Sequence, residues 1–415
     1  MIIKMKFNRL LTITLAAVIS LTAAAQVKTG IEVLRDRGFA ELKGKRVGLL
    51  TNPTGIDRNL KSTIDILAEA DGVELKGLYS PEHGVRGDVH AGDTVSTYVD
   101  PKTGVTVHSV YGKRFKPSAE QLKDIDVLIY DIQDNGCRSY TFISSMGAAM
   151  EACAELGKEF MVLDRPNPVG GEIVEGNLVE DSCFSFVSKF RIPYLYGLTP
   201  GELARYLNEE GQLKNGVKAK LTVIPMEGWT RDMSFADTGL PWVLPSPHVP
   251  TPDAAINYAV SGILGELYCI SIGVGYTLPF KLFGAEWIDA DKFADRMNSL
   301  NLPGIKFRPL HYKPFYSTGK DKDMQGVEFF ITDKSVAPLT LTQFYVMQEL
   351  ADMYPDKKAF DIGDKKRYSM FDKVCGSKEI RKRFTERYRV DDIKDYWNKD
   401  NESFKAVSAK YRLYK

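Results

Sequence analysis

Four stretches of this chain carry side chains that turns alone do not require. They are Thr51-Asn52-Pro53-Thr54-Gly55, Ser80-Pro81-Glu82-His83-Gly84, the run from Asp131 to Tyr140, and Asp164-Arg165-Pro166-Asn167-Pro168. Asp, Asn, Gly and Pro are ordinary turn formers, so any one stretch alone reads as a turn. Glutamate, histidine and arginine are not needed for turns. Four polar stretches together, with glutamate, histidine and arginines among them, point to one shared site built from Asn52, Glu82, His83, Arg86, Asp131, Gln133, Asp134, Arg138, Tyr140, Asp164, Arg165 and Asn167. Glu82 leads this set. A partly buried carboxyl group can have a raised pKa and act as a general acid; the structural alternative is a loop glutamate paired with Arg86. Glycoside cleavage needs a second carboxyl group. The pool is Asp131, Asp134, Asp164, Glu175 and Glu266, with Asp131 and Glu175 as the catalytic candidates and the others as binding groups. Only separation in space decides among them.

The elements that must position these groups alternate. Apolar runs at Arg46–Asn52, Glu74–Ser80, Val105–Gly112, Asp126–Asp134, Glu159–Pro168 and Leu221–Met226 read as strands. Helical spacing lies between them, over 61–70 and 141–156. Ser118 with Gln121, and Thr199-Pro200-Gly201-Glu202, are helix starts of the capping-box type. Strands alternating with helices imply a mostly parallel sheet with right-handed crossovers. The carboxyl ends of such strands share one rim, where ligands bind. Five prolines, from Pro241 to Pro252, mark a boundary. The expected fold is α/β: a Rossmann-like, mostly parallel sheet domain over 26–250, then a smaller α+β domain over 251–415. In the second domain helices are expected over 253–267, 290–300, 340–354 and 390–398, and strands near 305–310 and 326–332.

Composition narrows the function classes. With 415 residues two domains are expected. The net charge is +1 and no basic stripe stands out, so nucleic acid is not an expected partner. Lys4, Lys6 and Arg9 precede an apolar run from Leu10 to Leu21, and Ala23-Ala24-Ala25 follows. That pattern reads as a secretory signal over 1–25, removed to leave a periplasmic or secreted protein with no membrane insertion. The run is shorter than the ~20 residues needed to span a bilayer. Five cysteines, Cys137, Cys153, Cys183, Cys269 and Cys375, form no C-x-x-C pair, and most read as buried apolar side chains. Glu82, His83, Asp88, His90 and Asp93 are scattered metal-ligand types, but they match no known spacing, so no metal is assigned. Gly273-Val274-Gly275-Tyr276 is too little of a dinucleotide loop to imply a cofactor, and no G-x-S-x-G elbow is present.

The motifs SPEHGVRGD, DIQDNGCRSYTF and LDRPNPVGG, with the Glu175-Gly176-Asn177 turn, occur in that order. With them the chain resembles the exo-β-N-acetylmuramidases of bacterial peptidoglycan recycling, formerly a domain of unknown function, over nearly its whole length from about Gly30. The resemblance implies a Rossmann-like domain and a smaller domain with the active site between them. It implies release of β-linked N-acetylmuramic acid from non-reducing ends of peptidoglycan-derived saccharides, with Glu82 as the catalytic residue. It implies no cofactor. A departure from the family pattern lies at Ser271–Phe280, where Val274 stands in place of an arginine and Tyr276 in place of a threonine. Muramic acid carries a lactyl carboxylate, which an arginine can grip in bidentate fashion. Arg86, Arg138 and Arg165 are the candidates, and Tyr79, Tyr140 and Trp242 could pack on sugar faces, with core packing as the alternative for each. Two further readings are a non-catalytic periplasmic glycan-binding protein and a metal-dependent hydrolase using the Glu82–Asp93 loop.

Overall fold

The structure, a computed structural model, describes residues 26–82, 84–87, 97–112 and 114–415. The leader segment, His83 and the Asp88–Asp93 part of the metal reading lie outside the described residues.

A seven-stranded sheet organises the first half. Its early strands are β1 (Arg46–Thr51), β2 (Glu74–Ser80), β3 (Tyr98–Val99), β4 (Thr106–Ser109), β5 (Val127–Asp131) and β6 (Glu159–Leu163). A two-stranded ribbon, β7 (Val174–Glu175) with β8 (Leu195–Tyr196), interrupts the series before β9 (Lys220–Ile224) completes the sheet. The order is β3-β4-β2-β1-β5-β6-β9, and every pairing is parallel except β3 with β4. Leaving out β3, the parallel strands in chain order run 3-2-1-4-5-6, the Rossmann arrangement, with its reversal point between β1 and β5.

The central strands are apolar on both faces because both faces are covered. Val47, Leu49, Ile129, Met161 and Leu163 pack with Ile31 and Leu34 of α1 (Gly30–Asp36) and Ile64 and Leu67 of α2 (Thr63–Ala68). Alternate residues Leu50, Leu128, Tyr130, Phe160 and Val162 pack on the other side. There they meet Leu122 of α3 (Ala119–Leu122), α4 (Phe142–Glu155) and α5 (Pro200–Glu209). The expected capping boxes form at Ser118 and Thr199.

The smaller unit follows the proline-rich stretch. It contains α6 (Pro252–Gly265), β10 (Leu282–Ala285), α7 (Ala290–Ser299), β11 (Ile305–Tyr312), β12 (Met324–Ile331) and α8 (Thr342–Met353). Then come α9 (Ala359–Ile362), α10 (Tyr368–Cys375), α11 (Lys378–Arg387), α12 (Lys394–Asn398) and α13 (Asn401–Ser408). Its sheet is antiparallel, in the order β10-β12-β11. One apolar core joins α6, α8, α10 and this sheet with Cys137, Val169, Tyr194 and Leu195 from the first half. The chain then returns: Phe404 of α13 enters the core beneath the large sheet, and Tyr414 bonds Asp164. Among the described residues no helix is long and apolar enough to cross a membrane.

Several elements differ from the sequence reading. β5 stops at Asp131 and β6 at Leu163, because the polar residues beyond them bend into loops. The segment 390–398 splits into a 3-10 turn (Val390–Asp392) and the short α12. Helices α1, α10, α11 and α13 and strand β10 carried no recognised pattern.

Candidate functional site

Glu82 lies two residues beyond β2, where Pro81 limits the backbone. The hydroxyl of Thr141 donates to Glu82 Oε2 at 3.0 Å. Thr141 is the N-cap of α4, yet its side chain makes no capping bond; the hydroxyl is given to Glu82 instead. Tyr111, just past β4, gives Glu82 a second hydroxyl contact. Burial first, and then the charge of Glu82, raise the Tyr111 pKa and keep that phenol a donor. Three loops of the sheet domain thus orient one carboxyl group.

Glu82 lines a cavity of about 370 Å³ between the two units. Ser139, Tyr140, Thr141 and Phe142 form the wall on the sheet side. Ser246, Pro247 and His248 come from the proline-rich connection, and Tyr258, Glu266, Tyr268 and Phe280 from the smaller unit. Hydroxyl pairs brace this wall: Tyr140 with Ser246 at 2.7 Å, and Ser139 with Tyr258 at 2.9 Å and with Tyr194 at 3.1 Å. Tyr258 packs edge-on against Tyr140 and Phe280. His248 Nε2 lies 3.0 Å from the Tyr316 hydroxyl. Glu266 is paired with Arg367. Burial raises its carboxyl above the ordinary glutamate range, and Arg367 opposes that rise. Apolar ring faces beside hydroxyls and two carboxyl groups make a surface suited to a sugar.

Of the residues expected at the site, the structure brings Glu82, Tyr140 and Glu266 to this cavity. His83 lies outside the described residues, and the rest make their bonds elsewhere in the fold. Asp131 receives Arg165 through two bonds, at 2.5 and 3.0 Å, and Thr63 at 2.5 Å. Asn52 Oδ1 accepts from the amide and hydroxyl of Thr54, whose oxygen accepts from the Gln133 amide at 2.8 Å. Gln133 Nε2 donates to the Pro166 carbonyl at 2.7 Å. Asp134 is bonded by Tyr196 and the Gly136 amide, and burial pushes its carboxyl up to about 6. Gly136 has φ +81°, and a Cβ there would lie 2.3 Å from Asn167 Oδ1, so the close approach of these two loops needs glycine. Asn167 itself bridges the Val169 amide and the Leu198 carbonyl, each at 3.0 Å. Asp164 accepts from Thr199, Gly201 and Tyr414, and burial still pushes it up to about 7. Glu175 caps the approach to α8 through Thr340 and Leu339.

The expected lactyl-binding arginines are corrected in the same way. Arg138 is buried and donates to the carbonyls of Asn177, Ile192 and Val374. Desolvation pulls its pKa down to about 10. Arg165 belongs to Asp131. Arg86 is held by Asp100 through two 3.1 Å bonds. Tyr79 is fully buried and Trp242 bonds the Val249 carbonyl, so both serve packing. Sequence reasoning missed Tyr111, Thr141, Ser246, His248, Tyr258 and Tyr268. Thr141 and His248 carry a signal, as a helix start beside Tyr140 and as a polar residue in the proline stretch. Among the described residues no group of three or more His, Cys, Asp or Glu side chains could hold a metal ion.

Fold and cavity together define a Rossmann-like α/β protein with a carboxylate-bearing cleft against a smaller second unit. Residues 47–253 match the family described as "Exo-beta-N-acetylmuramidase NamZ, N-terminal", and residues 256–414 match its C-terminal counterpart. The chain belongs to this family. It is 43% identical over 390 residues to the Bacillus subtilis (strain 168) protein "Peptidoglycan beta-N-acetylmuramidase NamZ", covering 94% of this chain and 92% of that one. Two crystal structures of DUF1343 family proteins from Bacteroides fragilis NCTC 9343 share the fold. One is 59% identical with a TM-score of 0.91, the other 28% identical with a TM-score of 0.73. Each comparison covers 94% of this chain and 99% of the other.

Proposed function

We propose that this protein is an exo-acting glycoside hydrolase that releases β-linked N-acetylmuramic acid from non-reducing ends of peptidoglycan fragments, with Glu82 as its acid. Family membership and the Bacillus subtilis relative support the activity. The observation that carries the site is the Glu82 carboxyl, set by Thr141 and Tyr111 in a cavity of about 370 Å³. That volume is at the low end of small-molecule pockets, which span about 300–1,000 Å³, and suits a single terminal sugar. In the reaction Glu82 gives its proton to the departing glycosidic oxygen, while the ring hydroxyls and aromatic edges of Tyr140, Tyr258 and Phe280 hold the sugar. The test is release of chromophore from a chromogenic β-N-acetylmuramide by the purified protein. Turnover by Glu82→Gln equal to that of the unaltered protein would remove Glu82 from the mechanism, and binding without cleavage would leave a glycan-binding protein. Activity lost with chelator would favour the metal-dependent reading.

The leader over 1–25 supports export to the periplasm or beyond. A mature N-terminus at Gln26 in the periplasmic fraction is the expected result; an intact Met1 in the cytosol would contradict it.

A further inference from the structure

Cleavage of a glycoside needs a group acting at the anomeric carbon on the face away from the departing oxygen. Among the described residues lining the Glu82 cavity, Glu266 is the one other carboxylate. Asp131, Asp134, Asp164 and Glu175 are bonded inside the fold instead. The local structure around Glu266 carries two costs that packing does not explain. Glu266 is the C-cap of α6, so its carboxylate sits at the negative end of a 14-residue helix, which disfavours an anion. Two residues on, Tyr268 adopts φ +51° and is 56% exposed at the cavity wall. A bulky aromatic in the left-handed region is an outlier of the kind that collects at functional sites. Arg367 holds both residues: its Nη2 bonds the Glu266 carboxylate, its Nε donates to the Glu266 carbonyl at 3.2 Å, and its guanidinium lies 4.8 Å over the Tyr268 ring. Arg367 opposes the rise that burial gives the Glu266 carboxyl and fixes it in the wall of the cavity that Thr141 and Glu82 also line.

We propose that Glu266 is the carboxylate that acts at the anomeric carbon opposite the leaving group, with Arg367 as its positioning residue. This rests on the glycosidase reading of Glu82. The balance is simple. Glu82 delivers a proton to the glycosidic oxygen as its bond to the anomeric carbon breaks. A water oxygen bonds that carbon, and its proton passes to Glu266. One glycosidic bond and one water become two hydroxyl groups, and solvent returns the proton from Glu266 to Glu82.

The experiment compares the unaltered full-length protein with Glu82→Gln, Glu266→Gln and Glu266→Ala on a chromogenic β-N-acetylmuramide, each variant first checked for an unchanged melting profile. Glu266→Gln should lose about 10³-fold in kcat, with KM changed by no more than about fivefold. Sodium azide should restore turnover of Glu266→Ala by at least about tenfold, on the scale that general-base catalysis contributes, and yield the α-glycosyl azide. A merely structural glutamate would not be replaced by azide. Glu266→Gln turning over within about tenfold of the unaltered protein, a β-glycosyl azide, or no azide product from folded Glu266→Ala would each overturn the proposal. Should Glu266→Gln not fold, the azide product from Glu266→Ala or from Glu266→Gly decides. If the unaltered protein leaves the glycoside intact, the glycosidase reading itself fails. If it cleaves, and Glu82→Gln does not but Glu266→Gln does, only the role of Glu266 falls.

Discussion

Two neighbouring parts of the sheet's carboxyl edge look alike in sequence and behave oppositely in space. At the reversal point between β1 and β5, Arg165 bonds Asp131 while Thr54 links Asn52 to the Gln133 amide, leaving a water-sized hollow of about 10 Å³ beside Arg165 and Trp242. Beyond β2, Glu82 projects into a cavity roughly forty times larger, about 370 Å³. The reversal point is where a Rossmann-like sheet ordinarily binds its ligand. Here it is filled, and its buried charges are matched to each other. The second unit packs on the loops after β5 and β6 and on β8, and the Glu82 cleft is lined by residues of both units. Polar residues on a rim therefore do not make a site until something leaves their hydrogen bonds open to solvent.

That contrast can be broken by substitution. The largest effect on activity is expected at Glu82: Glu82→Gln should lower kcat by about 10²–10⁴-fold, measured by initial rates, while the melting temperature stays the same. At the reversal point the reverse is expected. Arg165→Met leaves Asp131 as a buried charge without its cation, and should cost about 3–5 kcal/mol in denaturant unfolding. The folded fraction should still turn over substrate within a few-fold of the unaltered protein. A large kcat loss with little destabilisation would move the chemistry to the reversal point.

Smaller effects sharpen the picture. Thr141→Val removes one hydroxyl from the Glu82 carboxylate and should reduce kcat/KM by about tenfold, the worth of a hydrogen bond to a charged group, with recovery in Thr141→Ser. The smallest effect concerns Asp134, whose folded-state pKa of about 6 lies above the unfolded value of about 3.9. The folded state then binds its proton more tightly. The associated stability is fully present below about pH 4 and is lost as pH rises through about 6. Asp134→Asn should flatten the fall in melting temperature between about pH 4 and about pH 7; an unchanged profile would show that Asp134 does not titrate there.

Much of the sheet domain was legible because parallel central strands are apolar on both faces and their helices carry explicit starts, as at Ser118 and Thr199. β10, four residues long, and the charged helix α11 lack that contrast, since tertiary packing rather than local pattern holds them. For the candidate site, the sequence singled out Glu82 and the strand ends as places for chemistry. It could not show that Arg138 would be spent on three backbone carbonyls, or that Asp131 and Arg165 would neutralise one another. Nor could it show that Tyr258 and Glu266, on and after a helix of the other unit, would face Glu82, because that depends on how the two units dock.

The most direct test of where the chemistry sits is a crystal structure of Glu82→Gln with a β-N-acetylmuramide bound. The account predicts the muramic acid ring between the amide at position 82 and Tyr258, with its glycosidic oxygen within hydrogen-bond reach of that amide. A sugar seated instead over Asn52, Gln133 and Arg165, with the cavity beside Thr141 empty, would contradict it.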